Sequence, residues 1–163
     1  MRIVFFGSDR IALPTLERLA QKHEMRLVCC PDRPPSRARG TIQWSPLETK
    51  SFASRHDIPI DQVPASEGFR LDSWKPEFLL NQSFDFGVVV SFGYRLPPWI
   101  LSRFTRGVLN MHPSLLPRFR GPAPIPRCIE SGESLTGVSV IQVHPDVIDS
   151  GKIFLQREIV RLA

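Results

Sequence analysis

The sequence predicts an α/β fold with a mostly parallel central sheet flanked by helices. Strand-like apolar segments alternate with segments of helical periodicity, which is typical of parallel sheets with right-handed crossovers. One segment, Phe86–Ser91, is almost continuously apolar, as expected of a parallel strand that is buried on both faces. The chain has 163 residues, 42% hydrophobic and 23% charged, which suits one globular domain. Together these observations predict a single Rossmann-like domain over residues 1–163.

The first half of the chain holds three predicted strands and two predicted helices. The opening run is β-branched and aromatic and ends at Gly7, which predicts a strand followed by a turn. Leucines then recur at helical spacing around Pro14, a residue that suits the first turn of a helix. The predicted strands are Arg2–Phe6, Arg26–Cys30 and Ile58–Val63, and the predicted helices are Pro14–His23 and Pro46–His56.

The second half holds four predicted strands and two short predicted helices. Arg70–Asn81 has a mixed pattern and is ambiguous. Beyond it, apolar strand-like runs again alternate with short helical patterns, except that the last two strands follow each other directly. The predicted strands are Phe86–Ser91, Gly107–Met111, Thr136–Val143 and Lys152–Val160, and the predicted helices are Pro97–Phe104 and Ala123–Glu130.

Composition and motifs argue against several classes of function. No apolar run approaches the roughly 18 residues of a membrane-spanning helix, so we expect no membrane partner. The chain opens on a strand-like segment, so we expect either that the protein stays where it is made or that its targeting segment is missing from this chain. Cys29, Cys30 and Cys128 have the spacing of neither a disulfide framework nor a zinc site, which favours a reducing compartment. The motifs of nucleotide-binding loops, zinc proteases, dithiol redox proteins and serine hydrolases are also missing from the sequence.

The basic residues are informative because of where they lie. The net charge is 21 − 16 = +5, which many enzymes share. Residues 31–40 read PDRPPSRARG and place Arg33, Arg37 and Arg39 in a stretch whose prolines forbid a helix. This predicts an exposed, stiffened basic loop. The residues alone leave two interpretations open, a solvated loop or a contact with nucleic acid.

Polar residues gather after the fifth predicted strand. In open α/β sheets, ligands bind outside the carboxyl ends of the strands. Asn110 and His112 lie two residues apart, so on a strand they face the same side of the sheet. An amide donor beside an imidazole suits the stabilisation of an oxygen that gains negative charge. The pattern also allows a structural role, in which His112 ends the strand and the following prolines turn the chain.

A carboxylate that follows the sixth predicted strand is a third candidate. Asp149 lies in a short loop that Gly151 allows to turn. With Asn110 and His112 it forms a set that can orient a base or stabilise an imidazolium. No nucleophilic side chain accompanies the three, which indicates that the substrate supplies the nucleophile. We therefore predict Asn110, His112 and Asp149 as the catalytic residues.

Longer motifs around these residues resemble the folate-dependent formyltransferase family. Residues 110–121 read NMHPSLLPRFRG, and D-S-G follows at Asp149. The opening FFGSDRIALPTLE, the PDRP loop, VVVSFGYRLP and RGPAPI are similar to the methionyl-tRNA formyltransferase branch, so the resemblance covers essentially the whole chain. The pair Val147-Ile148 departs from the Gly-Leu that usually precedes the family's aspartate.

The resemblance implies a reaction and a role for each residue. A formyl group would pass from 10-formyltetrahydrofolate, a co-substrate, to the α-amine of initiator methionyl-tRNA, in support of translation initiation. Asn110 and His112 would stabilise the oxygen of the tetrahedral intermediate. Asp149 would keep His112 cationic or order a water. The folate pocket would be lined by a fixed loop, whose residues are Ser114, Leu115, Leu116 and Pro117. No metal is implied.

The resemblance also implies partners and a cellular context. Arg37 would enter the acceptor arm of the tRNA, with Arg33 and Arg39 adding attraction to phosphate. We expect a monomer. Residues 120–124, which read RGPAP, favour a location in the mitochondrial matrix, with the bacterial cytoplasm as the alternative. The family's catalytic domain continues beyond residue 163 and is followed by a small β-barrel, so the chain is expected to be a C-terminally incomplete catalytic domain.

Three other functions remain open from the sequence. A formyltransferase that acts on a small amine would use the same three residues and the same folate pocket. A hydrolase of formyltetrahydrofolate would release formate without an acceptor. A product that has lost catalysis would bind RNA non-specifically through the basic loop, and would bind no folate.

Overall fold

The computed structural model describes residues 1–31 and 47–160. Within these residues the chain forms one sheet with helices on both faces. The strands are β1 (Arg2–Phe6), β2 (Glu24–Cys29), β3 (Ile60–Gln62), β4 (Phe86–Val89), β5 (Val108–His112), β6 (Leu135–Gln142) and β7 (Ile153–Val160). The helices are α1 (Leu13–Ala20), α2 (Glu48–Arg55), α3 (Glu77–Asn81), α4 (Pro98–Leu101) and α5 (Pro124–Glu130).

The strand order, β3-β2-β1-β4-β5-β6-β7, confirms the predicted mostly parallel sheet. β1 pairs in parallel with β2 on one side and with β4 on the other. β2 in turn pairs in parallel with β3, and β4 pairs in parallel with β5. The last two pairings, β5 with β6 and β6 with β7, are antiparallel. For β7 the reason is chain length, because the connection 143–152 is shorter than the dozen or so residues of a parallel crossover.

The core lies on both faces of the parallel strands. Alternate residues of β1 point to opposite faces, and all of Val4, Phe5 and Phe6 are inaccessible to solvent. Phe5 belongs to an apolar cluster with α1 and α2, whereas Phe6 belongs to a second cluster that includes Phe78 and Ile100 of α3 and α4. This burial explains why the central strands read as continuous apolar runs.

Most predicted elements are present with shifted ends. The ambiguous segment Arg70–Asn81 contains a short helix at its end, α3, which starts directly after Pro76. The predicted helix Pro97–Phe104 is shortened to the single turn of α4. The fifth strand runs one residue further than predicted and ends at His112, so both candidate residues of that region lie on β5 itself.

Candidate active site

β5 presents the amide and the imidazole on one face of the sheet. Asn110 and His112 are two residues apart on this strand, as the sequence predicts. His112 is 5% exposed, while Asn110 is half-buried. Because β5 is parallel to β4, its carboxyl end lies at the edge of the sheet where open α/β proteins bind ligands.

Asp149, the third candidate, lies near Asn110 because the chain turns back after β6. β6 runs antiparallel to β5, and the N–H of Val143 bonds to the carbonyl of Val108, so β6 ends beside the start of β5. The following segment then brings Asp149 to Asn110. A Cβ at Gly151 would lie 1.8 Å from the Gln142 carbonyl oxygen, so this return requires glycine there.

The carboxylate of Asp149 joins the candidate residues into one cluster. Its side chain is 8% exposed. Asn110 Nδ2 donates to Oδ1 at 3.0 Å, and the N–H of Gly121 donates to Oδ2 at 2.9 Å. The same Oδ2 lies 3.5 Å from His112 Nδ1, close enough to stabilise an imidazolium. Asp149 therefore contacts both of the other predicted catalytic residues and lies at the centre of the cluster.

The other imidazole nitrogen is held by the backbone. His112 Nε2 lies 2.9 Å from the carbonyl oxygen of Phe119, a residue with a left-handed φ of 56°. A carbonyl oxygen only accepts hydrogen bonds, so this contact favours a proton on Nε2. Nδ1 faces the carboxylate of Asp149, which also only accepts, so the two contacts together suit an imidazolium that carries a proton on each nitrogen.

The loop predicted to line a folate pocket lies against β6 and β7. The Ser114 hydroxyl donates to the carbonyl of Arg118 at 2.7 Å, and Leu116 is buried. Leu115 covers Gly137, where an added Cβ would come within 2.6 Å of its side chain. Pro117 follows in the same loop. The predicted contact of these four residues with folate remains a prediction.

The three arginines of the predicted basic loop, Arg33, Arg37 and Arg39, lie outside the described residues. Among the described cations, Arg118 is close to the site in sequence but forms an exposed ion pair with Glu133. Hydrogen bonding to Glu133 and the charge of that carboxylate raise the pKa of Arg118 above its usual value. This guanidinium is thus already paired.

Two backbone groups of the site have no signature in the sequence. The carbonyl of Phe119 and the N–H of Gly121 hold the imidazole and the carboxylate, and neither contact uses a side chain of these two residues. Gly121 has a φ of +100°, which favours glycine, so its identity was the only available signal.

The cluster is suited to polar stabilisation. Among the described residues, no hydroxyl, thiol or amine side chain hydrogen-bonds to Asn110, His112 or Asp149. The described ranges also contain no group of three side chains with metal-binding geometry. In the same ranges, no helix combines the length and apolarity required to cross a bilayer. What the cluster offers is an amide donor, an imidazole and a buried carboxylate.

Comparison with protein families places this chain in a known family. Residues 1–162 match the formyl transferase family. Methionyl-tRNA formyltransferase of Thermosynechococcus vestitus is 38% identical over 159 residues, which cover 98% of this chain and 47% of that protein. The enzyme of the same name from Xanthomonas axonopodis pv. citri is 39% identical over 163 residues, covering 98% and 50%. The chain thus spans about half the length of these relatives.

Solved structures share the fold. Glycinamide ribonucleotide transformylase 1 from Geobacillus kaustophilus superposes with a TM-score of 0.75 at 23% identity, over 99% of this chain and 83% of that one. A sugar 3N-formyl transferase, crystallised with dTDP and 5-N-formyl-THF, gives a TM-score of 0.66 at 20% identity, over 99% and 52%. Formyltransferases with this Rossmann-like architecture therefore share the fold of the chain.

Proposed function

Because this chain belongs to the formyl transferase family, we propose that it transfers a formyl group from 10-formyltetrahydrofolate to the α-amine of initiator methionyl-tRNA. The observation that supports this most strongly is the carboxylate of Asp149, which contacts both Asn110 and His112. The names of the relatives, methionyl-tRNA formyltransferase, support the choice of acceptor.

The folate supplies a formyl group whose carbonyl carbon is open to attack by an amine. The residues present suit such a group. When an amine adds to the carbonyl carbon, its oxygen gains negative charge, which an amide N–H of Asn110 and the positive charge of a protonated His112 can stabilise. Only one amide hydrogen of Asn110 is used by Asp149, so the second remains for the substrate.

His112 contributes as an imidazolium. The Phe119 carbonyl accepts from its Nε2, and Asp149 faces its Nδ1. Asp149 lies 3.5 Å from this atom and stabilises the positive charge. The charged ring stabilises a developing oxyanion, and Nδ1 is the atom that exchanges a proton with the reacting groups or with an ordered water.

The acceptor brings the nucleophile. Among the described residues, no side-chain nucleophile is bonded to the cluster, which suits direct attack by the amine of the aminoacyl group. We propose that Arg37 contacts the tRNA acceptor arm, with Arg33 and Arg39 adding attraction to phosphate. We also propose that Ser114, Leu115, Leu116 and Pro117 border the folate.

The cellular setting is part of the proposal. The relatives named above are bacterial, which supports the bacterial alternative for the location of this chain. The mitochondrial matrix stays a prediction, as does the monomeric state.

The proposal is tested by following a labelled formyl group. The chain is mixed with 10-formyltetrahydrofolate labelled in the formyl carbon and with methionyl-tRNA. A second version, extended by the C-terminal half of the Xanthomonas relative, is assayed beside it. We expect labelled formylmethionyl-tRNA from the extended version at least, and a rate lowered by about 10²–10³-fold in its His112→Ala variant.

Controls separate the competing functions. Methionyl-tRNA with an acetylated amine should accept no label. Label transferred to a small phosphorylated amine but not to methionyl-tRNA contradicts the proposal, because the acceptor is then a metabolite. Formate released at the same rate without any acceptor contradicts it in favour of a hydrolase. Absence of transfer in both versions contradicts it as well.

A further inference from the structure

One row of the sheet carries the imidazole and two further polar side chains. His112 of β5 is paired with Ser139 of β6, and Ser139 is paired with Gln156 of β7. Directly paired residues point to the same face of a sheet. The row therefore extends from the buried imidazole to the last described strand, and neither Ser139 nor Gln156 belongs to the cluster of Asn110, His112 and Asp149.

The hydroxyl of Ser139 uses all of its hydrogen-bonding capacity, on the loop that follows His112 and on Gln156. It donates to the carbonyl of Ser114 at 2.6 Å and accepts from the N–H of Leu116 at 3.1 Å. It also accepts from Gln156 Nε2 at 2.9 Å. A hydroxyl has one donor and two acceptor positions, and Ser139 is completely buried, so no water replaces these partners.

Gln156 completes the network from the next strand. Its Nε2 donates to the carbonyl of Leu116 at 2.8 Å as well as to Ser139. Both hydrogens of the amide are thereby used, and its orientation is fixed. Leu116 is held at its N–H by Ser139 and at its carbonyl by Gln156. A fully satisfied polar network of this kind rigidifies the segment it holds.

The segment held in this way leads directly to the groups that fix the imidazole. The Ser114 hydroxyl bonds to the carbonyl of Arg118, immediately before Phe119. The Phe119 carbonyl then accepts from His112 Nε2, and the N–H of Gly121 donates to Asp149. A series of hydrogen bonds and neighbouring loop residues therefore links Gln156 to the two groups that face the nitrogens of His112, which are the Phe119 carbonyl and the Asp149 carboxylate.

We infer that Ser139 and Gln156 are positioning residues for His112, which act through the loop 114–121. They hold the loop so that the Phe119 carbonyl keeps a proton on Nε2 of the neutral imidazole and orients Nδ1 toward Asp149. The kinetic consequence of this inference rests on the proposed formyl transfer, whereas the structural consequence, a single tautomer of His112, does not.

Gln156→Leu tests the inference, because it removes both N–H donors at similar side-chain size. Glu158→Gln is the matched control, since Glu158 lies two residues along the same face of β7 and makes no hydrogen bond to the described loop. In ¹⁵N spectra of the neutral imidazole, the parent and the control should show the proton on Nε2 of His112. Gln156→Leu should show a mixture of tautomers, and the Leu116 amide should exchange about tenfold faster.

A donor-restoring variant and kinetics complete the design. Gln156→Lys places N–H donors at similar reach and should recover the parental tautomer. In the formyl-transfer assay, Gln156→Leu should lower kcat about tenfold, with the KM for methionyl-tRNA unchanged.

The outcomes separate this inference from the proposed function. A parental tautomer and parental Leu116 exchange in Gln156→Leu would overturn the inference, whatever the activity. A mixed tautomer with unchanged kcat in an active parent would overturn it too. If the parent transfers no formyl group, the proposed function fails, and the spectra still decide whether Gln156 positions His112.

Discussion

The parallel and antiparallel parts of the sheet differ in what they bury. In the parallel part, formed by β3, β2, β1 and β4, the central strand is buried on both faces, and Phe6 is 0% exposed. The antiparallel part is formed by β6 and β7 together with β5, which pairs in parallel with β4 and antiparallel with β6. It buries polar groups such as His112 and Ser139 and leaves Leu155 of β7 62% exposed.

This contrast separates stability from chemistry. Apolar burial on the parallel strands contributes most of the folding free energy, at about 25 cal/mol per Å² of apolar surface. The antiparallel part supplies Asn110, His112 and Asp149, together with the hydrogen bonds that hold them. Burying polar groups costs free energy unless they are paired, and here they are paired with one another and with the backbone.

The largest expected effect concerns the parallel part. Phe6 packs edge-on against Phe92 and Phe104, with ring centroids 5.4 and 6.1 Å apart. Phe6→Ala should lower the free energy of unfolding by about 3–5 kcal/mol, because it removes a fully buried ring and leaves a cavity. Denaturant unfolding followed by circular dichroism measures this change.

Leu155→Thr is the control from the antiparallel part. It removes an exposed apolar side chain from an edge strand and keeps a strand-forming residue, so the change should stay within about 0.5 kcal/mol. If Phe6→Ala and Leu155→Thr lowered the free energy of unfolding equally, the parallel and antiparallel parts would not differ in their contribution to stability.

The fold was largely predictable because its central strands are buried on both faces. Phe86–Ser91 reads as a strand from its apolar run alone, and the register places its residues against Phe5 and Phe6 as a parallel neighbour. The antiparallel direction of β6 was not predictable, because a helical segment precedes it, as for a parallel crossover. α3 was ambiguous because only one helical turn follows Pro76.

The candidate site was predictable only in its side chains. Asn110 and His112 share a face through the period of a strand, and Asp149 was found through its loop and the family resemblance. The carbonyl of Phe119 and the N–H of Gly121 are backbone groups, which nearly every residue type carries and which therefore leave little signal in the sequence. Gln156 reads as an ordinary polar residue of a strand, since its partner Leu116 is distant in sequence.

A smaller effect tests whether the parallel part also contributes to substrate binding. Arg37 lies between β2 and α2 in sequence. Arg37→Ala should lower kcat/KM for methionyl-tRNA about tenfold and leave the KM for folate unchanged. If Arg37 makes one phosphate contact, the salt dependence of tRNA binding should become shallower by about one unit of log–log slope.

Arg37→Lys distinguishes the kind of contact. A lysine preserves the charge but lacks the planar guanidinium that contacts phosphate with two N–H groups or stacks on a base. We expect poor recovery with lysine. Parental use of methionyl-tRNA by Arg37→Ala at physiological salt would mean that the loop is only solvated.

The central claim is that Asn110, His112 and Asp149 act as one unit in formyl transfer, and a double-mutant cycle on kcat tests it most directly. Asn110→Ala and Asp149→Ala, made in the active version of the chain, should each lower kcat by about 10²–10³-fold. Because Asn110 Nδ2 donates to Asp149 at 3.0 Å, the double variant should lose little more than either single variant. Losses that multiply in the double variant would show two independent residues and would contradict the claim.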